Sequence, residues 1–103
     1  MNEYKITITQ RAFSDINECV LFVSLVSKDA AKELYKEIID SINSLKTFPN
    51  AYPSVEGLII GGVAVKRMPI HHGRYIVLYK IDADIVTIYD IIDSRKDNSI
   101  LKL

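Results

Sequence analysis

The segment from Arg74 to Lys96 constrains the fold more than any other part of the chain. Two runs rich in Ile, Val and Tyr are separated by the short sequence Asp82-Ala83-Asp84. β-Branched and aromatic residues fit the pleated, packed surface of a sheet, and a short polar break between two such runs is typical of a hairpin. The segment is therefore predicted to form two neighbouring antiparallel strands that end at the basic pair Arg95 and Lys96.

Two amphipathic helices are predicted upstream of the hairpin. The first begins at Gln10, with Thr9 as its N-cap, and ends near Ser27; the second follows with Ser27 or Asp29 as its cap. Their short connection indicates an antiparallel helix hairpin. The apolar residues recur at three- and four-residue steps, at Ala12, Phe13, Ile16, Cys19, Val20, Val23 and Val26 and then at Ala31, Leu34, Tyr35, Ile38, Ile42 and Leu45.

The remaining segments complete an α+β fold with the order β-α-α-β-β-β. Residues 4–9 alternate polar and apolar side chains and form the first strand, a loop runs from Phe48 to about Gly62, and a strand follows from Val63 to Ile70. The C-terminal strands are predicted to form an antiparallel meander, with the N-terminal strand added and the helix hairpin packed on one face. The other face is expected to stay open.

Length, charge and cysteine content limit the classes of protein that fit. The 103 residues, 49% of them hydrophobic, make one domain that spans residues 1–103. Thirteen basic and thirteen acidic residues cancel, so contact with nucleic acid would need a local basic patch. The single Cys19 cannot form an internal disulfide, and the N-terminus does not have the pattern of a signal peptide. No apolar run approaches the roughly 20 residues of a membrane span. We therefore expect a soluble cytoplasmic protein without a membrane partner.

These segments, taken in order, resemble the RelE/ParE superfamily of bacterial toxins, of the plasmid-stabilisation type, over nearly the whole chain. The resemblance rests on YKITIT, FPNAYPSVEG, RYIVLYKIDADIVTIYDII and DSRKD. Its most specific parts are the run formed by Tyr75, Tyr79, Ile81 and Asp82 and the segment from Ser94 to Asp97. It implies a growth-inhibiting toxin encoded beside an antitoxin that wraps it. RelE-like members are ribosome-dependent endonucleases that cut mRNA, whereas ParE-like members poison DNA gyrase.

Two departures from the sequence pattern of RelE-like nucleases favour the ParE-like branch. RelE-like nucleases place an arginine after the tyrosine matched by Tyr75, where this chain has Ile76, and they carry a tyrosine or histidine near the C-terminus, where residues 98–102 offer neither. The expected partners are therefore an antitoxin and DNA gyrase. The alternatives are a metal-free mRNA endoribonuclease, with the ribosome and mRNA as partners, and a non-toxic binding module; no cofactor or metal is expected in any case.

The candidate site residues are basic or titratable side chains near strand ends. Contacts to a target or a phosphate are assigned to Lys66, Arg67, Arg74, Arg95 and Lys96, and proton transfer or charge stabilisation in a nuclease would fall to His71, His72, Arg95 and Lys96.

Each candidate also has a simpler interpretation. His71 and His72 lie in a Gly-containing turn and fit exposed turn residues, and Arg95 and Lys96 can pair with Asp93 and Asp97. Strand alternation places Lys66 and Arg67 on opposite faces, and it places Tyr75 and Tyr79 with Val77 and Ile81 on one face, as expected of core residues. Cys19 fits a small buried hydrophobe.

Overall fold

Two helices lie across one face of a five-stranded sheet in the computed structural model, which describes residues 3–95. The strand order is β1-β5-β4-β3-β2; β1 runs parallel to β5, and the other neighbours are antiparallel. The predicted α+β fold, with its meander, added N-terminal strand and helix hairpin, is confirmed. The elements are β1 (Lys5–Ile8), α1 (Gln10–Ser24), α2 (Lys28–Ser44), β2 (Ser54–Ile60), β3 (Val63–Ile70), β4 (Tyr75–Asp82) and β5 (Ile85–Asp93).

The predicted loop up to Gly62 is wrong for residues 54–60, which form β2. The strand escapes sequence analysis because its periodicity is broken: the pairing of β2 with β3 shifts register between Ser54 and Ile59, and Gly57 has a φ of 81°. Such a bulge interrupts the alternation by which a strand is read from sequence. The meander therefore has four strands instead of three.

Side-chain caps fix where the helices begin. Thr9 Oγ1 accepts a hydrogen bond from Ala12 N at 3.1 Å, as predicted, and Ser27 Oγ accepts one from Ala30 N at 3.1 Å. Of the two caps considered for α2, Ser27 is the one formed. Because Ser27 must be extended to cap α2, with a φ of −153°, α1 ends at Ser24 and not near Ser27 as predicted.

The main core lies between the helices and the sheet. Tyr75 and Tyr79 are buried in it as predicted, and Cys19 is half-buried against it. The Tyr79 hydroxyl donates to Pro49 O at 2.7 Å, and burial raises the pKa of Tyr79 to about 12. The other core residues include Ala12, Ile16, Leu34, Ile38, Ile42, Leu45, Met68, Val77, Val86 and Ile88.

A second apolar cluster covers part of the face that was expected to stay open. Val55, Val65, Ile76 and Leu78 are all buried there, with Leu58, Ile60 and Ile92 packed around them. The expectation that this face stays open is wrong here, because the unpredicted strand β2 covers it with Val55, Leu58 and Ile60. The central strand β4 is consequently buried on both faces from Tyr75 to Tyr79.

A pair of carboxyl groups joins α1 to β5. Asp15 Oδ2 and Asp90 Oδ1 both accept from Ile91 N, at 3.1 and 2.9 Å, and Arg11 Nε lies 3.2 Å from Asp90 Oδ2. Burial, followed by the hydrogen bond and the charge of Asp90, raises the pKa of Asp15 to about 6. The pair therefore holds a proton at a pH where an exposed aspartate has lost it.

The first prediction concerns the buried hydroxyl. Tyr79→Phe leaves Pro49 O without its donor in the core, so the free energy of unfolding should fall by about 1–3 kcal/mol. Urea denaturation measures the change. Tyr35→Phe on α2 is the matched control, because Tyr35 is 48% exposed and should change little; equal effects of the two variants would contradict the role given to the Tyr79 hydrogen bond.

The second prediction concerns pH. Folding raises the pKa of Asp15 from 3.8 to about 6, so the folded state favours the protonated carboxyl. The stabilisation that Asp15 contributes is therefore fully present below about pH 4 and is lost as the pH rises through 6. Asp15→Asn should be more stable than the wild type at pH 7.5 and should show a flatter stability profile between pH 4 and 6. Denaturation at several pH values tests this, with Glu33→Gln on the exposed face of α2 as control; an unchanged profile would contradict the prediction.

Candidate functional site

Four basic side chains meet at one end of the sheet, where the β3–β4 turn lies beside the end of β5. We call His71, His72, Arg74 and Arg95 the cationic rim. Together with Gly73 and Ser94, they line a shallow depression of about 390 Å³. The structure thus brings together four of the seven predicted site residues.

Ser94 fastens the end of β5 to the turn. Its N–H donates to Arg74 O at 2.9 Å, and its hydroxyl lies 2.7 Å from Gly73 O and 3.0 Å from Arg74 O, so that it can donate to either carbonyl. These contacts fix the backbone on which Arg74 and Arg95 stand. Ser94 belongs to the DSRKD segment that carries the family resemblance, but no site role was predicted for it.

The turn itself has a left-handed backbone. His71, His72 and Gly73 have φ values of 54°, 57° and 80°, a conformation that costs energy in residues other than glycine. Glu37 of α2 clamps the turn: its Oε2 accepts from His71 N at 2.7 Å, and its Oε1 lies 2.9 Å from His71 Nδ1. The hydrogen bond from the His71 side chain lowers the pKa of Glu37. The contacts that hold the turn in this conformation therefore also fix the backbone positions of the rim residues.

Glu37 is the contact that sequence reasoning missed. It lies on α2 and is 34 residues from His71 in sequence. The expectation of exposed turn histidines holds for His72, whereas the His71 side chain is only 40% exposed and is bound to Glu37. Local sequence carries no signal for a contact of this range.

The two rim arginines have different surroundings. The Arg74 guanidinium lies 5.9 Å from the centre of the Tyr75 ring, and its buried Nε has no hydrogen-bond partner among residues 3–95. Arg95 pairs with Asp93 as its simpler interpretation expected, with its N–H at 2.9 Å and its Nε at 3.5 Å from Asp93 Oδ1. Burial alone would raise the pKa of Asp93, but the hydrogen bonds from Arg95 lower it overall.

Lys66 and Arg67 lie outside the rim. Strand alternation sets Lys66 on the face of Met68, towards the helices, and Arg67 on the face of Val65, as predicted. Lys66 Nζ donates to Tyr52 O at 3.2 Å. The last predicted cation, Lys96, lies outside the described residues, as does the 98–102 segment.

The chemistry open to this site is mainly the binding of anionic groups. Tyr75 and Tyr79 are buried under the helices, Ile76 is buried in the second cluster, and His71 is engaged by Glu37. His72 is exposed beside two guanidinium groups, which can contact carboxylates or phosphates. Within residues 3–95, no three His, Cys, Asp or Glu side chains are placed to share a metal ion.

A second exposed surface lies at the end of α1. Leu21, Phe22, Leu25 and Val26 are between 63% and 88% exposed, and we call them the α1 apolar patch. Phe13, Val26 and Tyr35 had been assigned to the buried stripes, but they are 55%, 88% and 48% exposed. Contiguous exposed apolar residues mark surfaces that bind a partner. No helix in the described part of the chain is long and apolar enough to cross a membrane.

Comparison with known families identifies the class of protein to which this fold belongs. Residues 6–98 match the model of the ParE toxin of the type II toxin–antitoxin system, parDE. The chain therefore belongs to the ParE toxin family.

Solved structures show the same fold at low sequence identity. A chain of the chromosomal ParDE toxin–antitoxin system from P. aeruginosa superposes with a TM-score of 0.71 at 14% identity, covering 88% of this chain and 96% of that one. A chain of the archaeal RelE-RelB complex from Pyrococcus horikoshii OT3 gives 0.58 at 12% identity, covering 92% and 99%. No curated protein matches the sequence.

The third prediction tests the strained turn. At a φ of 57°, His72 occupies a conformation that glycine adopts freely, so His72→Gly should be more stable than His72→Ala by about 1 kcal/mol. Both variants remove the imidazole, and their difference therefore reports the backbone alone. Thermal and urea denaturation supply the measurement, and a more stable alanine variant would show that the turn is not strained at this residue.

Proposed function

We propose that this ParE-family chain is a toxin that inhibits growth by binding DNA gyrase and is neutralised by an antitoxin. Family membership supports the toxin class. The choice of gyrase over mRNA rests on one observation: the groups that a ribonuclease needs are absent from the places where the resemblance would put them.

Ile76 carries that observation. RNA cleavage without a metal needs a base, an acid and cations around the scissile phosphate. The position that would hold an arginine is occupied by Ile76, which is 2% exposed and packed with Val65 and Leu78. The side chains that surround position 76 are apolar, so no polar group is available there to act on a phosphate. This geometry supports binding of a protein target better than catalysis.

Neutralisation by an antitoxin is supported by the exposed apolar surface. The α1 apolar patch places four large hydrophobic side chains in water next to the α1–α2 connection. The similar chain from P. aeruginosa belongs to a ParDE toxin–antitoxin system, and the similar chain from P. horikoshii belongs to a RelE-RelB complex. A partner that covers the patch would remove the cost of exposing these side chains. A cytoplasmic location follows from the proposed target.

The fourth prediction tests the target. Purified protein should inhibit supercoiling by DNA gyrase or stabilise its cleavage complexes, and the double variant Arg74→Ala, Arg95→Ala should be at least tenfold weaker, because it removes both guanidinium groups of the rim. Lys36→Ala is the matched control, since Lys36 is exposed on α2 and pairs only with Asp40 among the described residues. It should inhibit as well as the wild type.

Three results would contradict the proposal. Unchanged gyrase activity without stabilised cleavage complexes would remove the target. Codon-positioned cuts in translated messages, found by primer extension after induction, would assign the protein to the mRNA endonucleases. Normal growth after induction without an antitoxin would identify a non-toxic binding module on the same fold.

A further inference from the structure

Two neighbouring cations lie on the face of the sheet that points away from the helices. We call this face the outer face, and it carries Val65 and Leu78 of the second apolar cluster. Arg67 follows Val65 by two residues, so strand alternation sets its side chain on the outer face. Lys80 follows Leu78 by two residues and lies there for the same reason. Because Arg67 pairs with Leu78 in register, Arg67 and Lys80 are diagonal neighbours at about 7–8 Å, and we call them the outer cation pair.

Neither cation of the pair has a counterion among residues 3–95. None of the ion pairs in this range includes Arg67 or Lys80. Asp90, which lies across β4 from Arg67 in register, is already engaged, because its Oδ2 lies 3.2 Å from Arg11 Nε. Asp82 is exposed two residues beyond Lys80 and forms no ion pair with it. Two like charges this close repel each other, and an anion bound between them replaces the repulsion with attraction.

The Arg67 side chain also has a hydrogen-bond donor without an acceptor. The residue is half-buried, and its buried Nε has no partner in the described part of the chain. A buried N–H without an acceptor lowers stability, and a bound acceptor recovers that loss. Because no hydrogen bond holds the guanidinium, it can turn toward a ligand and bind carboxylate or phosphate oxygens. The unpaired charges and the unpaired donor both indicate an oxyanion ligand.

The Lys80 ammonium is placed beside an aromatic ring. Its Nζ lies 5.5 Å from the centre of the Tyr89 ring, within the range of a cation–π contact. Gly61, in the turn between β2 and β3, leaves room for it: a Cβ at this glycine would lie 3.4 Å from Lys80 Nζ. The ammonium is therefore held on the outer face without being neutralised.

We propose that the outer cation pair binds phosphates of the DNA backbone and so ties the protein to the DNA that gyrase holds. The inference rests on the proposed gyrase target. A DNA strand presents one anion at every nucleotide, so a single strand can supply an oxyanion to each cation of the pair. Contacts of this kind position a protein on DNA without reading its sequence.

The proposal agrees with the neutral charge of the chain and with the absence of nuclease groups at Ile76. Thirteen basic and thirteen acidic residues give no general attraction to DNA, so binding to DNA alone should be weak and should need low salt. Holding a phosphate needs only cations, whereas cleaving RNA also needs a base and an acid. The pair therefore adds a contact to the proposed toxin and no nuclease chemistry.

Binding to duplex DNA alone provides the first test. In fluorescence anisotropy at low salt, the wild type should bind a labelled duplex, and Arg67→Gln and Lys80→Gln should each bind more weakly by about fivefold. Each variant should also lower the slope of log affinity against log salt by about one. Lys36→Ala, whose residue pairs only with Asp40 among the described residues, should bind like the wild type.

Two results of this first test would overturn the inference. One is equal binding of DNA by the wild type and both variants of the pair. The other is tighter binding of single-stranded RNA of the same length, which would assign the pair to the mRNA alternative. Circular dichroism checks that each variant is folded; if Arg67→Gln does not fold, Lys80→Gln decides.

Binding to gyrase with and without DNA provides the second test. The wild type should bind gyrase loaded with a duplex fragment about tenfold more tightly than gyrase alone. Arg67→Gln and Lys80→Gln should lose most of this gain and keep the affinity for gyrase alone. Equal affinity of the wild type for both forms would overturn the inference and leave gyrase as the target. Weaker binding of the variants to gyrase alone would also overturn it, because the pair would then contact an acidic surface of the enzyme.

Failure of this inference and failure of the proposed target can be told apart. A protein that binds gyrase in neither form contradicts the proposed function. The measurement on DNA alone contains no gyrase, so it still decides whether the outer cation pair binds the DNA backbone.

Discussion

The burial of β4 on both of its faces is the constraint on which the rest of the structure depends. Five consecutive residues, from Tyr75 to Tyr79, are removed from water. One face needs the two helices as cover, and the other needs β2 with Val55, Leu58 and Ile60. A strand of this kind must lie inside the sheet, and its position fixes β3 and β5 as its neighbours.

This arrangement also determines where the cationic rim lies. The β3–β4 turn and the end of β5 meet at one end of the sheet, and Ser94 joins them through Gly73 and Arg74. Glu37 reaches the turn from α2, so the helix hairpin contributes to the site as well as to the core. The left-handed residues His71 and His72 persist because contacts on both sides hold them.

The described surfaces are suited to binding. The rim offers guanidinium groups, and the α1 apolar patch offers large exposed side chains. Of the groups able to move a proton, Tyr79 is buried and His71 is bound to Glu37, whereas His72 is exposed. Under the proposed function, the target and the antitoxin would bind to different parts of one small domain.

The sequence by itself determined what depends on local periodicity and capping. Spacing within a few residues was enough to place both helices, the Thr9 cap and the strands β3 to β5. The same local spacing placed Tyr75 and Tyr79 in the core and set Lys66 and Arg67 on opposite faces. Tertiary structure decided the presence of β2, whose bulge breaks that spacing. It also decided the Glu37–His71 and Asp15–Asp90 contacts. These depend on which distant segments meet, and that is set by packing around β4 and not by any local pattern.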